Sequence, residues 1–191
     1  MTRVLITVAL LMTISMTTYS QRVAIKNNLL YDMTATPNLA LETKIGEKMT
    51  LELYGGYNPF TFGKDDNKRF KHWLVQPEWR YWFCESFNGT FLGVHVHGGE
   101  FNVSGLKLPF GMFPTLEDHR YEGYFYGVGV SIGHQWILNK RWSLEAALGL
   151  GYARLEYDKY KCTDCSPLLK SSSRNYFGPT RLAVSFVYFL H

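Results

Sequence analysis

The sequence has little of what a helical membrane protein, a disordered chain or a nucleic-acid-binding protein requires. No apolar run approaches the ~20 residues of a membrane-spanning helix, so a bundle of transmembrane helices is excluded. Hydrophobic residues make up 46% of the chain and charged residues only 19%, which excludes disorder. The net charge of +4 on 191 residues is too small to indicate a nucleic-acid partner. A chain of this length favours one compact domain.

Aromatic residues and glycine are abundant instead. The chain contains 13 Phe, 13 Tyr, 5 Trp and 17 Gly. Aromatic side chains suit the pleated surface of a sheet, and glycine suits turns and the crowded interior of a barrel. The composition therefore predicts a β-rich protein.

The first twenty residues are predicted to be a signal peptide. Arg3 supplies a short positive segment, residues 4–12 are apolar, and Thr18-Tyr19-Ser20 forms a small-x-small cleavage site. An uncleaved membrane anchor is the alternative, but the apolar segment is shorter than a spanning helix needs. We therefore expect a signal peptide over residues 1–20 and a single exported domain over residues 21–191.

Eight segments after residue 20 alternate between large apolar residues and small or polar ones. The connections between them are alternately short (46–48, 85–89, 139–141) and long (59–70, 103–120, 159–175), with 33–37 as a short exception. An even strand number, with short turns at one end and long loops at the other, is typical of outer-membrane barrels. The predicted strands are 22–32, 38–45, 49–58, 71–84, 90–102, 121–138, 142–158 and 176–190.

The residues that alternate with the large apolar ones in each segment distinguish a membrane barrel from a soluble one. In segments 124–136 and 144–152, Tyr, Val, Ile and Leu alternate mainly with Gly, Ala, Ser and an isolated Glu. A solvated face would be rich in Lys, Glu, Thr and Asn, whereas a narrow filled lumen needs small residues and isolated charges. Aromatic residues at the ends of the apolar faces match interfacial girdles. We therefore predict an all-β fold, an eight-stranded antiparallel up-and-down transmembrane β-barrel.

The alternation also places charged side chains inside the predicted barrel. Buried charges remain ionised only when they are paired, and Arg suits planar contact with carboxylates. We therefore predict a salt-bridge network that braces a closed barrel; a gated ion path and a catalytic carboxylate pair are the alternatives. Eight strands enclose just enough room for their own side chains, which disfavours a general pore. The predicted members are Lys26, Lys44, Arg80 and Arg181 with Glu42, Glu52, Glu78 and Glu145.

Cysteine is scarce, with three residues in the chain. Cys162 and Cys165 share the last long connection, where a disulfide between them is the first interpretation in an exported protein. Cys84 stands apart and is expected to be a free thiol. Zinc would need two further ligands, and this connection contains no His. His95 and His97 share one strand face without a third ligand nearby, so we predict lumen packing, no metal and no cofactor.

The connection 103–120 is too apolar for a loop that contacts only water. It is expected either to fold back over the barrel mouth or to present a hydrophobic patch to a protein partner. The residues proposed for this contact are Leu108, Phe110, Met112 and Phe113. Residue types used by lipid-editing enzymes also occur here, but no spacing fixes their geometry, so no catalytic residue is assigned. They are Ser104, Glu117, Asp118 and His119.

Several motifs of the chain carry a family resemblance. They include Asn28-Leu29-Leu30-Tyr31-Asp32, Gly55-Gly56-Tyr57-Asn58-Pro59 and Leu148-Gly149-Leu150-Gly151-Tyr152-Ala153. In these motifs, and over essentially the whole mature chain, the sequence resembles an uncharacterised family of outer-membrane proteins of gut-type Gram-negative bacteria. The resemblance implies a barrel similar to the small OmpA-type transmembrane domain without a periplasmic domain, and it brings no catalytic residues. Relatives are often encoded beside fimbrillin-like surface adhesins, which implies a role in surface structures.

These observations predict a non-enzymatic barrel in the cell outer membrane that serves as a structural or interaction module of the envelope. Its expected partners are outer-membrane lipid and lipopolysaccharide, together with a surface protein of an adhesin or fimbria-like assembly. No nucleic acid is expected. Two alternatives from other classes are a lipid-modifying outer-membrane enzyme and a soluble periplasmic barrel that binds a small apolar ligand.

Overall fold

A computed structural model describes residues 22–60, 69–104, 119–161 and 168–190. Within these ranges each strand pairs antiparallel with the next, and the first pairs with the last, which closes the sheet into a barrel. The predicted all-β fold with eight strands in up-and-down order is confirmed. The elements are β1 (Val23–Asn28), α1 (Leu29–Asp32), β2 (Asn38–Gly46), β3 (Met49–Asn58), β4 (Arg69–Trp82), β5 (Gly89–Ser104), β6 (His119–Ile137), β7 (Trp142–Lys161) and β8 (Leu168–Phe189).

The two ends of the barrel differ in their connections. The turns β2–β3, β4–β5 and β6–β7 lie at one end, which we call the turn end. Arg22 and Phe189 lie there too: the amide of Lys44 donates to the carbonyl of Arg22 over 3.1 Å, and the amide of Phe189 donates to the carbonyl of Arg141 over 2.9 Å. We call the opposite end the loop end. Among the described residues, no helix is long and apolar enough to cross a membrane.

The strand boundaries differ from the sequence prediction mainly at β1 and β8. The first strand was expected to reach residue 32, but it ends at Asn28, whose side chain accepts a hydrogen bond from the amide of Leu30 over 3.2 Å. An Asn at this position caps a helical turn, which is why α1 begins here. Residues 159–161 and 168–175, predicted as loop, extend β7 and β8 into a paired hairpin.

Asn28 also extends the seam between β1 and β8. The backbone pairing of these strands ends at Asn28 and Ser185. Beyond that pair, the Asn28 amide nitrogen donates to the carbonyl of Leu182 over 3.1 Å, and its oxygen accepts from the amide of Val184 over 3.2 Å. A side-chain amide thus replaces one peptide unit at the point where α1 leaves the sheet.

The two faces of the strands have inverted polarity. On β6, the outward Val128, Val130 and Ile132 are 54%, 60% and 52% exposed, whereas the inward Ser131 is buried. On the other strands the same alternation places charged and amide side chains in the interior of the barrel. A soluble barrel buries its apolar face and wets the other. This barrel has its polar groups inside and its apolar groups outside.

The turn end of the interior is closed by four aromatic side chains and one valine, which we call the aromatic plug: Trp82, Phe87, Phe91, Phe189 and Val187. Phe87 belongs to the β4–β5 turn and has a φ of 68°, a backbone region that a bulky residue rarely adopts. This conformation turns the ring into the barrel mouth, where its centroid lies 6.0 Å from that of Trp82 and 5.3 Å from that of Phe189. The packing of the ring therefore holds the turn in its strained form.

Small inward residues make room for the large side chains of the interior. A Cβ at Gly93 would lie 2.7 Å from Glu78 Oε1, and one at Gly129 would lie 2.5 Å from His95 Nε2. Neither position could hold a side chain without displacing these groups. The glycines that the sequence alternates with apolar residues are thus required by the filled interior.

Candidate functional site

A cluster of buried charges fills the middle of the barrel, and we call it the interior cluster. Its members come from six strands, and each is at most 8% exposed. Charges that are buried this deeply must be stabilised by opposite charges, because little water reaches them. The members are Lys26, Glu42, Glu52, Glu78, Arg80, Glu145 and Arg181.

Arg80 is the centre of the interior cluster. Its guanidinium contacts all four carboxylates, and its carbon lies 4.3 Å from the centroid of the Phe91 ring in the aromatic plug. The planar fork of an arginine allows several such contacts at once. The closest nitrogen–oxygen distances are 2.7 Å to Glu78 and Glu52 and 3.0 Å to Glu42 and Glu145.

Two further cations lie on either side of Arg80. The Lys26 ammonium contacts Glu42 and Glu145 and lies 3.1 Å from Glu52 Oε2. The Arg181 guanidinium lies 2.5 Å from Glu52 Oε1 and 3.0 Å from Glu78 Oε2. Each carboxylate therefore touches at least two cations, so that β1, β4 and β8 are tied to β2, β3 and β7.

The interior cluster contains three cations and four carboxylates. His95 lies beside it, with its Nδ1 3.4 Å from Glu78 Oε2 and its Nε2 3.0 Å from Thr180 Oγ1. His97, two residues further along β5, also faces the interior. The sequence alternation predicts that His95 faces the interior, but it does not give the register of β5 against β4, and it is this register that brings His95 to Glu78.

Lys44 differs from the sequence expectation. It was predicted to belong to the charged network, but it is only partly buried and makes no ion pair with a described residue. The register of β2 against β3 shifts between Lys44 and Gly46, close to the turn end. Alternation alone predicts the inward face, but it does not predict that Lys44 lies too close to the turn end to join the cluster.

Three carboxylates of the interior cluster have the spacing of a metal site. One oxygen each from Glu42, Glu52 and Glu145 lies within 4.8 Å of the others. Lys26 and Arg80 contact all three of these groups. The positive charge that a metal ion would bring is therefore supplied by protein side chains, and the arrangement can act as a brace.

Some residues named from the sequence lie outside the described residues. These are Cys162 and Cys165 of the expected disulfide, the four apolar residues Leu108, Phe110, Met112 and Phe113 of the expected contact loop, and the acidic pair Glu117 and Asp118. Cys84 is described, and it is an exposed free thiol.

The outward face carries a continuous apolar surface, which we call the outer belt. On β7 it begins at Trp142, continues through Leu144, Leu148 and Leu150, and ends at Tyr152. Ten residue steps of about 3.4 Å at a strand tilt of about 40° give the belt a height of roughly 26 Å. Large exposed apolar surfaces mark interaction sites or contact with lipid.

Aromatic side chains mark the loop-end rim of the outer belt, and their polar tips bind the first polar residues beyond it. Trp73 Nε1 donates to Glu100 Oε2 over 3.0 Å. The hydroxyl of Tyr124 donates to Glu156, four residues past the belt on β7. This hydrogen bond lowers the pKa of the Glu156 carboxyl and raises that of the Tyr124 phenol. The turn-end rim has aromatic contacts of its own, including Trp142 against Tyr188 at 4.8 Å between ring centroids.

The comparisons with known proteins give one match. The model of the family described as "Protein of unknown function (DUF3575)" matches residues 6–190. No curated protein and no solved structure matches the chain. The matched residues include all eight strands and every member of the interior cluster. The chain therefore belongs to the DUF3575 family of proteins of unknown function.

Proposed function

We propose that this protein is an outer-membrane β-barrel that acts as a closed, non-enzymatic structural or interaction module of the cell envelope. The observation that carries the proposal is the inverted polarity of the barrel, whose charged groups are inside and whose apolar groups are outside. Exposed apolar side chains on β2 to β8 would be costly in water, at roughly 25 cal/mol per Å². Lipid removes that cost, and a barrel has no unpaired strand edge to expose to lipid.

The dimensions of the outer belt support this location. Its height of roughly 26 Å is close to the apolar band of about 25 Å on outer-membrane barrels. The aromatic rims at both ends suit the two interfaces, because an amphipathic ring places its apolar body in lipid and its polar tip at the headgroups. In this orientation the turn end faces the periplasm, and the loop end faces outward.

The interior favours a closed module over a channel. The aromatic plug fills the turn end, and the interior cluster fills the middle. The cavity beside the cluster, lined in part by Lys26, Tyr31 and Tyr54, has a volume of about 20 Å³, room for about one water molecule. A diffusion pore would need a continuous water-filled path, so any function of the protein lies on its outer surface and in its loops.

This proposal includes the finer expectations from the sequence. The protein would be exported through a cleaved signal peptide over residues 1–20 and would resemble a small OmpA-type barrel of gut-type Gram-negative bacteria. Its partners would be outer-membrane lipid, lipopolysaccharide and a surface protein such as an adhesin or fimbrial subunit. The loop-end hairpin of β7 and β8 extends past the outer belt and is available to such a partner.

Membrane fractionation combined with a heat-modifiability gel tests the location. A folded membrane barrel resists SDS until boiled, so the unboiled protein from the outer-membrane fraction should migrate faster than the boiled one.

Epitopes inserted at the two ends of the barrel test its orientation. An epitope between Thr163 and Asp164 should bind antibody on intact cells, whereas one at Lys140 should need a permeabilised envelope. Recovery in the soluble periplasmic fraction would refute the proposal, and the reverse epitope pattern would refute the orientation.

A further inference from the structure

Among the described strands, β8 has a partner on only one side where it extends past the outer belt. On the other side its pairing with β1 ends at Asn28 and Ser185, and no further described strand lies there. The belt ends at the level of Tyr152 and its register partner Phe177, whereas β8 begins at Leu168. The unpaired side of residues 168–177, which we call the β8 edge, is about 31 Å long at about 3.4 Å per residue. Such an edge is a template for pairing with another chain.

The backbone direction shows which residues present their polar groups to the β8 edge. A strand residue points its amide and its carbonyl to one side, and the side alternates from residue to residue. Leu182 and Val184 point away from β7, towards β1. The register shift between Gly149 and Leu150 adds one residue to β8, which moves this direction from even-numbered to odd-numbered residues. The residues that point to the unpaired side beyond the shift are therefore Pro179, Asn175, Ser173 and Ser171.

At the level of the outer belt, side chains satisfy backbone groups on this side of β8. Asn28 serves the carbonyl of Leu182 and the amide of Val184. The hydroxyl of Tyr176 donates to the carbonyl of Pro179 over 3.2 Å, and a proline has no amide hydrogen to satisfy. Lipid requires such internal partners, whereas water supplies its own. The seam is thus sealed by side chains where lipid would meet it, and the open part of the strand lies above the belt.

The outer side chains along the β8 edge turn towards β7 and leave the opposite side accessible. All three of these residues are exposed. Each is short and polar, and each is hydrogen-bonded to a side chain of β7. Ser171 Oγ donates to Asp158 over 2.6 Å, Arg154 Nη2 donates to Ser173 Oγ over 3.4 Å, and the Tyr152 hydroxyl donates to Asn175 Oδ1 over 2.9 Å.

The inner face of the same segment carries positive charge. Lys170 and Arg174 lie four residues apart on this face, and Lys159 of β7 is the direct register partner of Lys170. Like charges directly opposite each other destabilise a sheet, whereas opposite charges on neighbouring strands stabilise it. Lys170 is exposed and makes no ion pair with a described residue. A strand added at the β8 edge is therefore favoured if it carries carboxylates on this face.

A second copy of this chain in the same membrane does not fit the β8 edge. Two upright barrels have their β8 strands running in the same direction. Joining the same edge of two identical strands into one sheet requires that the strands run antiparallel, with a twofold axis perpendicular to the sheet. That arrangement would invert one barrel in the membrane. The occupant is therefore a segment of a different protein.

We propose that the β8 edge binds an extended segment of a surface protein as an added strand, which carries carboxylates on the face of Lys170 and Arg174. Backbone hydrogen bonds supply the affinity of such a contact, and side-chain contacts supply its selectivity. This inference rests on the proposed function, because that function places the loop end outside the cell and assigns the barrel a surface-protein partner. It adds the place of contact and the chemistry of the partner segment.

Synthetic peptides of alternating threonine and valine test the site by fluorescence anisotropy with the full chain in detergent. The first peptide has glutamate in place of two threonines four residues apart, so that both carboxylates share one face. It should bind saturably, and about tenfold more tightly than the same peptide with lysine at these positions, because opposite-charge pairs are replaced by like-charge pairs. A third peptide keeps the glutamates but has proline in place of each valine, so it cannot extend a sheet and should not bind. Equal binding of the glutamate and proline peptides would show attraction by charge alone and would overturn the inference.

Variants of the chain locate the contact. Ser173→Pro removes an amide that points to the β8 edge and none that pairs with β7, so it should weaken binding of the glutamate peptide at least about tenfold. Lys170→Glu should weaken binding of the glutamate peptide and strengthen that of the lysine peptide. Lys140→Glu is the matched control, because it makes the same change of net charge at the exposed β6–β7 turn, and it should bind both peptides as the wild type does.

Heat-modifiability of the wild type and of every variant is measured in parallel. If Ser173→Pro does not fold, the comparison of Lys170→Glu with Lys140→Glu decides the location. Failure of the heat-modifiable wild type to bind the glutamate peptide, or equal binding by these two charge variants, shows that the strand site is wrong while the membrane barrel stands. A wild type without heat-modifiability refutes the proposed function itself.

Discussion

Arg80 and Glu78 lie two residues apart on β4, and inside the barrel Arg80 Nε donates a hydrogen bond to Glu78 Oε1 over 2.7 Å. Residues two apart on a strand face the same side, so the backbone of β4 brings this pair together by itself. The same guanidinium then reaches carboxylates on β2, β3 and β7. One side chain thus links β2, β3 and β4, which follow one another in the chain, to the distant strand β7.

Arg80→Ala should destabilise the barrel by about 3 to 5 kcal/mol, because the four carboxylates would lose their shared cation while remaining buried. The folded band on a heat-modifiability gel should disappear at a lower temperature than in the wild type. Lys44→Ala is the matched control, since Lys44 is an inward cation that makes no ion pair with a described residue. It should change stability by less than about 0.5 kcal/mol. Equal losses in the two variants would contradict the central role of Arg80.

Phe87→Ala should destabilise the turn end. The ring is 2% exposed, and removing a buried Phe side chain costs roughly 3 to 5 kcal/mol. Alanine would also have to adopt the positive φ of Phe87 without the packing that supports it. Phe83→Ala, at a half-exposed ring on the outward side, should cost less. Urea unfolding of the refolded protein measures both changes, and a larger loss for Phe83→Ala would show that the plug contributes little.

The strands and the polarity of their faces could be predicted because both depend on the two-residue period of a strand. In 144–152 that period assigns each residue to the outer belt or to the interior without knowledge of the neighbouring strand. The same two-residue period also predicts which charged residues face the interior. Seven of the eight residues predicted for the network contact one another, because at mid-barrel height an inward charge lies within reach of the others.

Features that depend on the ends of strands could not be predicted in this way. Leu29 and Tyr31 continue the apolar alternation of β1, so the sequence does not indicate that Asn28 ends the strand by capping α1. The turn containing Phe87 has the polar and glycine residues of an ordinary tight turn, and nothing there indicates that its ring fills the barrel mouth. Lys44 is inward but lies too near the turn end to join the cluster. Each of these features depends on where the residue lies along the barrel axis, and the two-residue period of a strand does not give that position.

Asn28→Asp should weaken the seam between β1 and β8. Aspartate keeps the oxygen that accepts from Leu30 and Val184, but it loses the nitrogen that donates to the carbonyl of Leu182. An unpaired buried carbonyl and a buried carboxylate together should cost about 1 to 3 kcal/mol or more. Asn27→Asp, on the outward side of the same strand, is the control. Amide hydrogen exchange near Val184 should accelerate in Asn28→Asp alone, and equal acceleration in both variants would contradict this role.

The carboxyl of Glu156 should titrate below its ordinary pKa, because the Tyr124 hydroxyl donates a hydrogen bond to the ionised form. A lowered pKa in the folded state means that this hydrogen bond stabilises the loop-end rim above the ordinary carboxyl pKa. The contribution is lost as the pH falls through the lowered pKa. Carboxyl carbon NMR of the detergent-solubilised protein, with the signal assigned by Glu156→Gln, measures the shift.

Tyr124→Phe should raise the pKa of Glu156 towards its ordinary value, because the strongest hydrogen bond to the carboxylate is removed while the ring remains in the rim. Tyr152→Phe is the matched control. It also removes a rim hydroxyl, but that hydroxyl donates to Asn175 Oδ1 over 2.9 Å and does not contact Glu156. The pKa of Glu156 should be the same in Tyr152→Phe and in the wild type. If Tyr124→Phe also leaves it unchanged, the lowered pKa arises from Arg154, whose Nε lies 3.2 Å from Glu156 Oε1, and the tyrosine has no electrostatic role at the rim.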